Sequence, residues 1–275
     1  MSKDTPPQET ENLFNLQIKG TRIRSLFHFL FSIVQDKITT LHLSKDEIRC
    51  NEVSSNKRIL FDYVLFSKTL VGHEYNYPDP TTRIRFELKW LNEKMNELKI
   101  KNKMQFTITK DQPNILEIGI FDVEQTRKDK KIKLSIAPET KIQEPPAEMY
   151  HDQPITLHKE DFLPFLKIKP TMKGGKMVKE EIEIKIQAPS FLKFTRVSDT
   201  SESEKYGIFK KDKPVYKDNF YIHELKHVFK LHPSTVIFNV YQPRDVNMPL
   251  CIGGLCGEYG YWKVYIHCAN AKPIT

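Results

Sequence analysis

Apolar and polar residues alternate with period two along much of this chain. Ile84, Phe86 and Leu88 are each separated by a polar neighbour, and so are Met104, Phe106 and Ile108. The same beat returns at Leu116, Ile118 and Ile120, at Ile132, Leu134 and Ile136, and at Ile182, Ile184 and Ile186. It predicts strands with one face buried and the other wet. Four segments have helical spacing instead. Residues 22–35 align Ile23, Leu26, Phe27, Leu30 and Val34; residues 89–98 align Leu91, Met95 and Leu98. Residues 161–169 align Phe162, Phe165 and Leu166, and residues 222–231 align Ile222, Leu225 and Phe229. Pro164 is tolerable in the third helix because it falls in the first turn. Few helices against many strands, with the helices confined to one sheet face, predict an α+β fold.

The order of these elements occurs twice. Each half opens with an extended run and an apolar helix, continues through strands and turns to a second short helix, and then enters two strands broken by a proline-bearing turn. In the first half these are 103–108, the turn 110–113 with Pro113, and 115–120; in the second they are 234–239, the turn 242–244 with Pro243, and 250–252. An offset of roughly 130 residues is too long for a solenoid repeat and indicates a duplicated domain. The boundaries expected are a polar tail at 1–11, a first domain at 12–137, an extended proline-bearing connector at 138–153 and a second domain at 154–275. Residues 171–179, with Lys173, Gly174, Gly175 and Lys176, are expected as a mobile basic hairpin tip, and residues 210–217 as a polar loop.

Composition narrows the class of partner. The 275 residues carry 43 Lys+Arg against 35 Asp+Glu, a net charge of +8, with 28% charged and 39% hydrophobic residues. This is the balance of a soluble globular chain drawn to a polyanion. Ser25 to Val34 is apolar but short, holds His28, and is flanked by Arg24 and Asp36, so it is a buried helix and not a membrane span. The N-terminal residues are polar and contain no secretory signal. Cys50, Cys251, Cys256 and Cys268 are too few for a disulfide scaffold and fit a reducing, intracellular compartment. Cys251 and Cys256 have no common zinc-knuckle spacing; core thiols and a metal pair both remain open for them.

One literal motif points elsewhere. His223-Glu224-Leu225-Lys226-His227 is an HExxH, in which two histidines one turn apart bind zinc and the glutamate acts as base. Against it, residues 223, 226, 227 and 230 share one helical stripe, so Lys226 and Lys230 would crowd a dication. Two unit charges about 4 Å apart repel by about 4 kcal/mol at an effective dielectric near 20. His232 falls one residue short of the third-ligand position. The histidines instead extend a basic helix face and would gain charge as pH falls through about 6.5.

Several local sequences, in order, resemble the PCNA-type DNA sliding clamps. Gly20 and Thr21 lead into the first helix as in the opening turn of a clamp domain. Val53, Ser54 and Ser55 followed by Ile59 and Leu60 are similar to the paired strands after it, and His73, Glu74, Tyr75, Asn76 and Tyr77 to an aromatic segment before the second helix. The stretch through Lys133, Leu134, Glu139, Ile142, Pro145 and Tyr150 to Pro154, Ile155, Thr156 and Leu157 resembles the passage between domains. Gly260, Tyr261, Trp262, Lys263, Val264, Tyr265 and Ile266 are similar to the closing strand. The likeness covers roughly residues 12–270. The loops at 171–179 and 210–217 and the tail beginning Cys268, Ala269 depart from the family, a divergence that points to a viral or specialised clamp.

That resemblance implies two clamp domains per chain, sheets outside and helices inside, and a non-catalytic protein without a cofactor. It implies sequence-independent contact with double-stranded DNA by cations on the helices: Arg22, Arg24, Lys89, Lys94, Lys99, Lys167, Lys169, Lys226 and Lys230, interrupted by Glu93 and Glu224. It implies a homotrimeric ring closed by edge strands near 130–136 and 203–210. DNA polymerase and other replication and repair proteins would dock by a short aromatic peptide on Val53, Leu60, Ile142 and Tyr265, in the nucleus or at a viral replication site. A clamp-like checkpoint subunit or viral transcription factor, and the HExxH hydrolase, are the alternatives.

Overall fold

The computed structural model describes residues 11–19, 22–34, 37–99, 102–121, 127–134, 142, 147–167, 172–173, 176–177, 180–188, 190–197, 203–206, 216–231, 233, 235–245 and 248–271. The first half contains β1 (Asn12–Lys19), α1 (Arg22–Ile33), β2 (Ile38–Ser44), β3 (Glu47–Val53), β4 (Ile59–Phe66), β5 (Val71–Tyr75), β6 (Thr81–Glu87), α2 (Leu88–Glu97), β7 (Lys103–Thr109), β8 (Ile115–Phe121) and β9 (Arg127–Lys133). The second contains β10 (Ile155–His158), α3 (Lys159–Leu166), β11 (Met172–Lys173), β12 (Lys176–Met177), β13 (Glu181–Gln187), β14 (Phe191–Val197), β15 (Ser203–Tyr206), β16 (Tyr216–Tyr221), α4 (Ile222–Phe229), β17 (Ile237–Tyr241), β18 (Leu250–Leu255) and β19 (Gly260–Ile266).

The four helices fall where the apolar spacing put them, with one correction. The third starts at Lys159, so Pro164 is its sixth residue and lies beyond the first turn. Lacking an N–H, it forfeits the bond to the Glu160 carbonyl, and the helix ends two residues later. Within the expected hairpin tip, residues 172–173 pair with 176–177, whereas Tyr216 and Lys217 of the expected loop already belong to β16. Much of 171–179 and 210–217, and half of 138–153, lies outside the described residues.

The sheet topology repeats. One half-sheet runs β4-β3-β2-β6 in the first half and β15-β14-β13-β16 in the second. The other runs β1-β7-β8-β9, with β5 added beside β1, and again β10-β17-β18-β19. By this correspondence β19 is the counterpart of β9, and β4 of β15. Within the chain β19 pairs antiparallel with β4, from Gly260↔Leu65 to Ile266↔Ile59. That pairing fuses two half-sheets into one sheet of eight strands crossing from one half to the other. Their counterparts, β9 and β15, are sheet edges.

The inner face of this sheet and the helices share one buried apolar cluster drawn from both halves. Leu26 and Leu30 of α1 and Leu91 and Met95 of α2 are buried in it. In the second half Phe162 of α3 stacks on Phe229 of α4, with ring centroids 4.6 Å apart, and meets Phe238 of β17 edge-on at 4.4 Å.

Polar contacts lock the seam between the halves. Phe66 N–H donates to the Tyr259 carbonyl at 2.8 Å, and His267 N–H to the Arg58 carbonyl at 2.9 Å, so the ladder continues past both strand ends. Ser54 Oγ accepts from Ile59 N–H at 2.9 Å and shapes the turn that presents Arg58. The Arg58 guanidinium donates to the His267 and Cys268 carbonyls, lies 4.9 Å from the Tyr221 ring centroid, and has Nε 3.4 Å from Glu224 Oε1. Asn56 Nδ2 donates to the same carboxylate oxygen at 2.9 Å.

Gly260 sits where β19 and β4 approach most closely. A Cβ there would lie 1.8 Å from the Val64 carbonyl oxygen, a backbone atom that cannot turn aside. Gly260→Ala should therefore pry the seam open and cost about 3 kcal/mol or more, by the penalty for overpacking. Urea unfolding of the variant checks this; an unchanged midpoint would mean that the seam tolerates a wider spacing.

Candidate nucleic-acid and partner interface

Each helix turns an apolar stripe to the sheet, which leaves its polar stripe on the opposite surface. Lys89 and Lys99, on and just after α2, are exposed, as are Lys167 just after α3 and Lys230 just after α4. Arg24 and Lys226 are half-buried. Lys94 departs from expectation. It is 8% exposed, and its ammonium lies 3.0 Å from Glu97 Oε2. It follows Leu91 and precedes Met95 on the inward side of α2, so it is not part of the exposed set. The side chain of Arg22, and all of Lys169, lie outside the described residues.

Glu224 also corrects the sequence reading. It was expected to interrupt the positive helix face, but it is 2% exposed and faces the first half, held by Arg58 and Asn56. The outward face of α4 is left with His223, Lys226 and His227, all half-buried, followed by the exposed Lys230. The same packing removes Glu224 from the role the HExxH motif needs, since its carboxylate is buried and held by Arg58 and Asn56 while His223 and His227 are half-buried. Among the described residues, no group of three or more His, Cys, Asp or Glu side chains gathers as a metal site. Cys251 and Cys256 do not form a pair either: they belong to different apolar clusters, consistent with their odd separation along the strand.

His28 on α1 is engaged on both ring nitrogens. Arg24 Nε donates to its Nε2 at 3.2 Å, so the proton is on Nδ1, which donates to Asn92 Oδ1 at 2.6 Å. Burial, with a contribution from the Arg24 charge, lowers its pKa. His227 is lowered by burial, then by Lys230 and His223. Its protonation, expected near 6.5 from the sequence, is thereby moved to lower pH.

The opposite, outer face of the eight-stranded sheet carries a second feature. Tyr241, Cys251, Tyr265, Leu60 and Val53 are successive cross-strand neighbours on β17, β18, β19, β4 and β3. They form one apolar row over five strands. Leu60, Cys251 and Tyr265 are buried, with Val53 and Tyr241 packed at the ends. Tyr150, from the segment before β10, covers the row: its ring centroid is 6.1 Å from that of Tyr265, and its hydroxyl donates to the Pro249 carbonyl at 2.9 Å. Beside it opens a cavity of about 240 Å³ lined by Tyr150, Tyr241, Cys251, Lys263 and Tyr265 among others. Of the residues expected for a peptide pocket, Val53, Leu60 and Tyr265 come together, while Ile142 is exposed and is not part of their cluster among the described residues. Sequence reasoning missed Tyr150, Tyr241 and Cys251. Register would have found the last two, because each is the direct partner of the next residue in the row.

Two features thus occupy the two faces of one sheet: cationic helices on one side and an apolar row on the other, with like half-sheets joined edge to edge. This is the PCNA-like clamp fold, two similar domains of mostly antiparallel sheet with few helices. The chain is similar to the crystal structure of Proliferating Cellular Nuclear Antigen from Entamoeba histolytica, with a TM-score of 0.72 and 14% sequence identity, covering 94% of this chain and 99% of that one. No protein-family model matches the chain. No curated protein matches it. Among the described residues no helix is long and apolar enough to cross a membrane.

The histidines give a pH prediction with a definite sign. His28, His42, His73, His227 and His267 all have pKa values lowered chiefly by burial. The unfolded chain therefore binds more protons than the folded one as pH falls below about 6.5. Stability is full above that value and is lost as pH falls through the depressed folded-state values. The urea midpoint should drop between pH 7.5 and pH 5.5 at constant ionic strength; a flat profile would contradict the burial of these rings.

Proposed function

We propose that this chain is a sliding clamp. Three copies close head to tail into a ring around double-stranded DNA and tether a DNA polymerase and other replication proteins by short apolar peptides. The observation that carries this reading is the repeated topology. The chain pairs β19 with β4 internally, and leaves the counterparts of those strands, β9 and β15, as edges. Pairing β9 of one copy with β15 of the next repeats between chains the junction already made within one. Such a contact is heterologous and closes only if the rotation per step divides a full turn. It also removes two open sheet edges, which otherwise invite aggregation.

The charge distribution supports DNA as the threaded partner. Lys89, Lys99, Lys167 and Lys230 are exposed on the helix side, joined by the half-buried Arg24 and Lys226, and the chain carries +8. Long flexible cations contact phosphates without reading bases, and each such contact is weak enough to break and reform as the ring moves. Processivity needs only topological linkage and no catalytic group. The outer row built on Leu60, Cys251 and Tyr265, with Tyr150 over it, suits a peptide carrying aliphatic and aromatic anchors.

Light scattering on the purified chain should give three times its 32.4 kDa mass, with retention on closed circular DNA and loss from linear DNA. A monomer retained equally by both would overturn the ring and favour a clamp-like subunit of a heteromeric assembly. For the peptide surface, Tyr241→Ala at the rim of the row should weaken a polymerase-derived apolar peptide by about tenfold or more, as truncating an aromatic hot spot does. Fluorescence anisotropy measures this. Unchanged affinity, with the native mass preserved, would move peptide docking elsewhere.

A further inference from the structure

A second and larger cavity, of about 500 Å³, opens on the helix side where the halves meet, between α1 and the end of α4. That volume lies in the range of small-molecule sites. Its wall is divided chemically. Pro233 contributes exposed apolar surface and Phe29, 4% exposed, backs the wall, while Arg24, His227 and Lys230 contribute N–H donors, and no carboxylate is among the described lining residues. Arg24 is held without being neutralised: among the described residues its guanidinium donates to His28 Nε2 and, at 3.4 Å, to the Leu98 carbonyl. The neutral ring of His28 thus fixes the arginine while leaving its charge intact. Lys230 is exposed and, among the described residues, makes no ion pair. Uncompensated cations in a concave, low-dielectric site concentrate a positive potential and favour an anion. A guanidinium is suited to the oxygens of a phosphate.

We propose that this cavity is a nucleotide site, in which an unpaired nucleoside 5′-monophosphate unit places its phosphate between Arg24 and Lys230 and its base against Pro233 and the apolar wall that Phe29 backs. A duplex shows phosphates to a protein surface but keeps its bases stacked inside, so it has no use for an apolar wall behind the cations. An unpaired nucleotide needs both. It can be a free mononucleotide or one residue of a single strand. The site lies within one chain and does not require ring closure, so it goes beyond the clamp reading and can fail independently of it.

Calorimetric titration of the full-length chain tests this with deoxyadenosine monophosphate, deoxyadenosine, inorganic phosphate and a hexamer of deoxyadenylate. The mononucleotide should bind saturably at one per chain, with the nucleoside and inorganic phosphate each at least tenfold weaker. Lys230→Glu removes a cation, and Ser32→Trp fills the cavity from an exposed position on its wall. Each should weaken the mononucleotide at least tenfold, and Ser32→Trp should leave native mass, thermal unfolding and retention on circular DNA unchanged. A hexamer that displaces the mononucleotide and binds at least tenfold tighter identifies a single strand as the source; a mononucleotide that binds while the hexamer does not identifies the free nucleotide. The proposal is overturned by non-saturable binding at millimolar concentration, by inorganic phosphate binding as tightly as the mononucleotide, or by both variants binding it as the parent does.

Discussion

A strand from the end of the chain hydrogen-bonds to a strand from its first quarter, and the rest of the architecture depends on that seam. With β19 laid against β4, two half-sheets become one surface of eight strands, and the register is set on both faces at once. Gly260 allows the approach because its neighbour across the seam is a backbone carbonyl. Arg58 and Glu224 then tie the turn before β4 to α4, over a separation in sequence that no local signal spans. A buried ion pair of this sort is valuable for the arrangement it specifies more than for net stability, since desolvation offsets much of its attraction.

The seam also separates the two proposed surfaces. Period-two alternation sends Ile59, Phe61, Tyr63 and Leu65 inward beneath the helices, and Leu60, Asp62 and Val64 to the outer face. On the outer face Asp62, although fully buried, accepts from both Arg49 and Asn51, and Arg49 Nε reaches it at 2.7 Å. This polar patch borders the apolar row one residue pair away. Partner peptide and nucleic acid would thus engage opposite sides of one rigid sheet, so neither would need to displace the other.

On the helix side, the electrostatics are less uniform than a list of lysines suggests. Lys94 is withdrawn into an ion pair with Glu97, and Glu224 is withdrawn toward Arg58. One cation and one anion leave the surface, so its net charge changes little while its pattern changes. Cations are kept beside the junction, where Arg24 and Lys230 line a common cavity. Neutral imidazoles sit beside both: His28 is bonded to Arg24, and His227 is depressed by burial and by Lys230.

The sequence alone determined the alternation of strands, the four helices and the duplicated order, because burial of one face imposes a period that any register must respect. Val53, Leu60 and Tyr265 were placed on one surface only by the resemblance to the clamp family, together with Ile142, which does not join their cluster. Which side of α4 Glu224 would take was not legible: helical spacing put it one residue from His223, but only the packed neighbour supplied Arg58. Lys94 was misread for a different reason: its partner Glu97 is three residues along the same helix, but the burial of the lysine beside Leu91 and Met95 is set by what packs on that helix. Tyr241 and Cys251 joined the row through strand register, and the cavity between α1 and α4 exists only because two distant helices meet across the seam. Periodicity is a property of neighbours along the chain, whereas these features arise between residues brought together by a sheet that closes over long range, and that was decided by the tertiary structure.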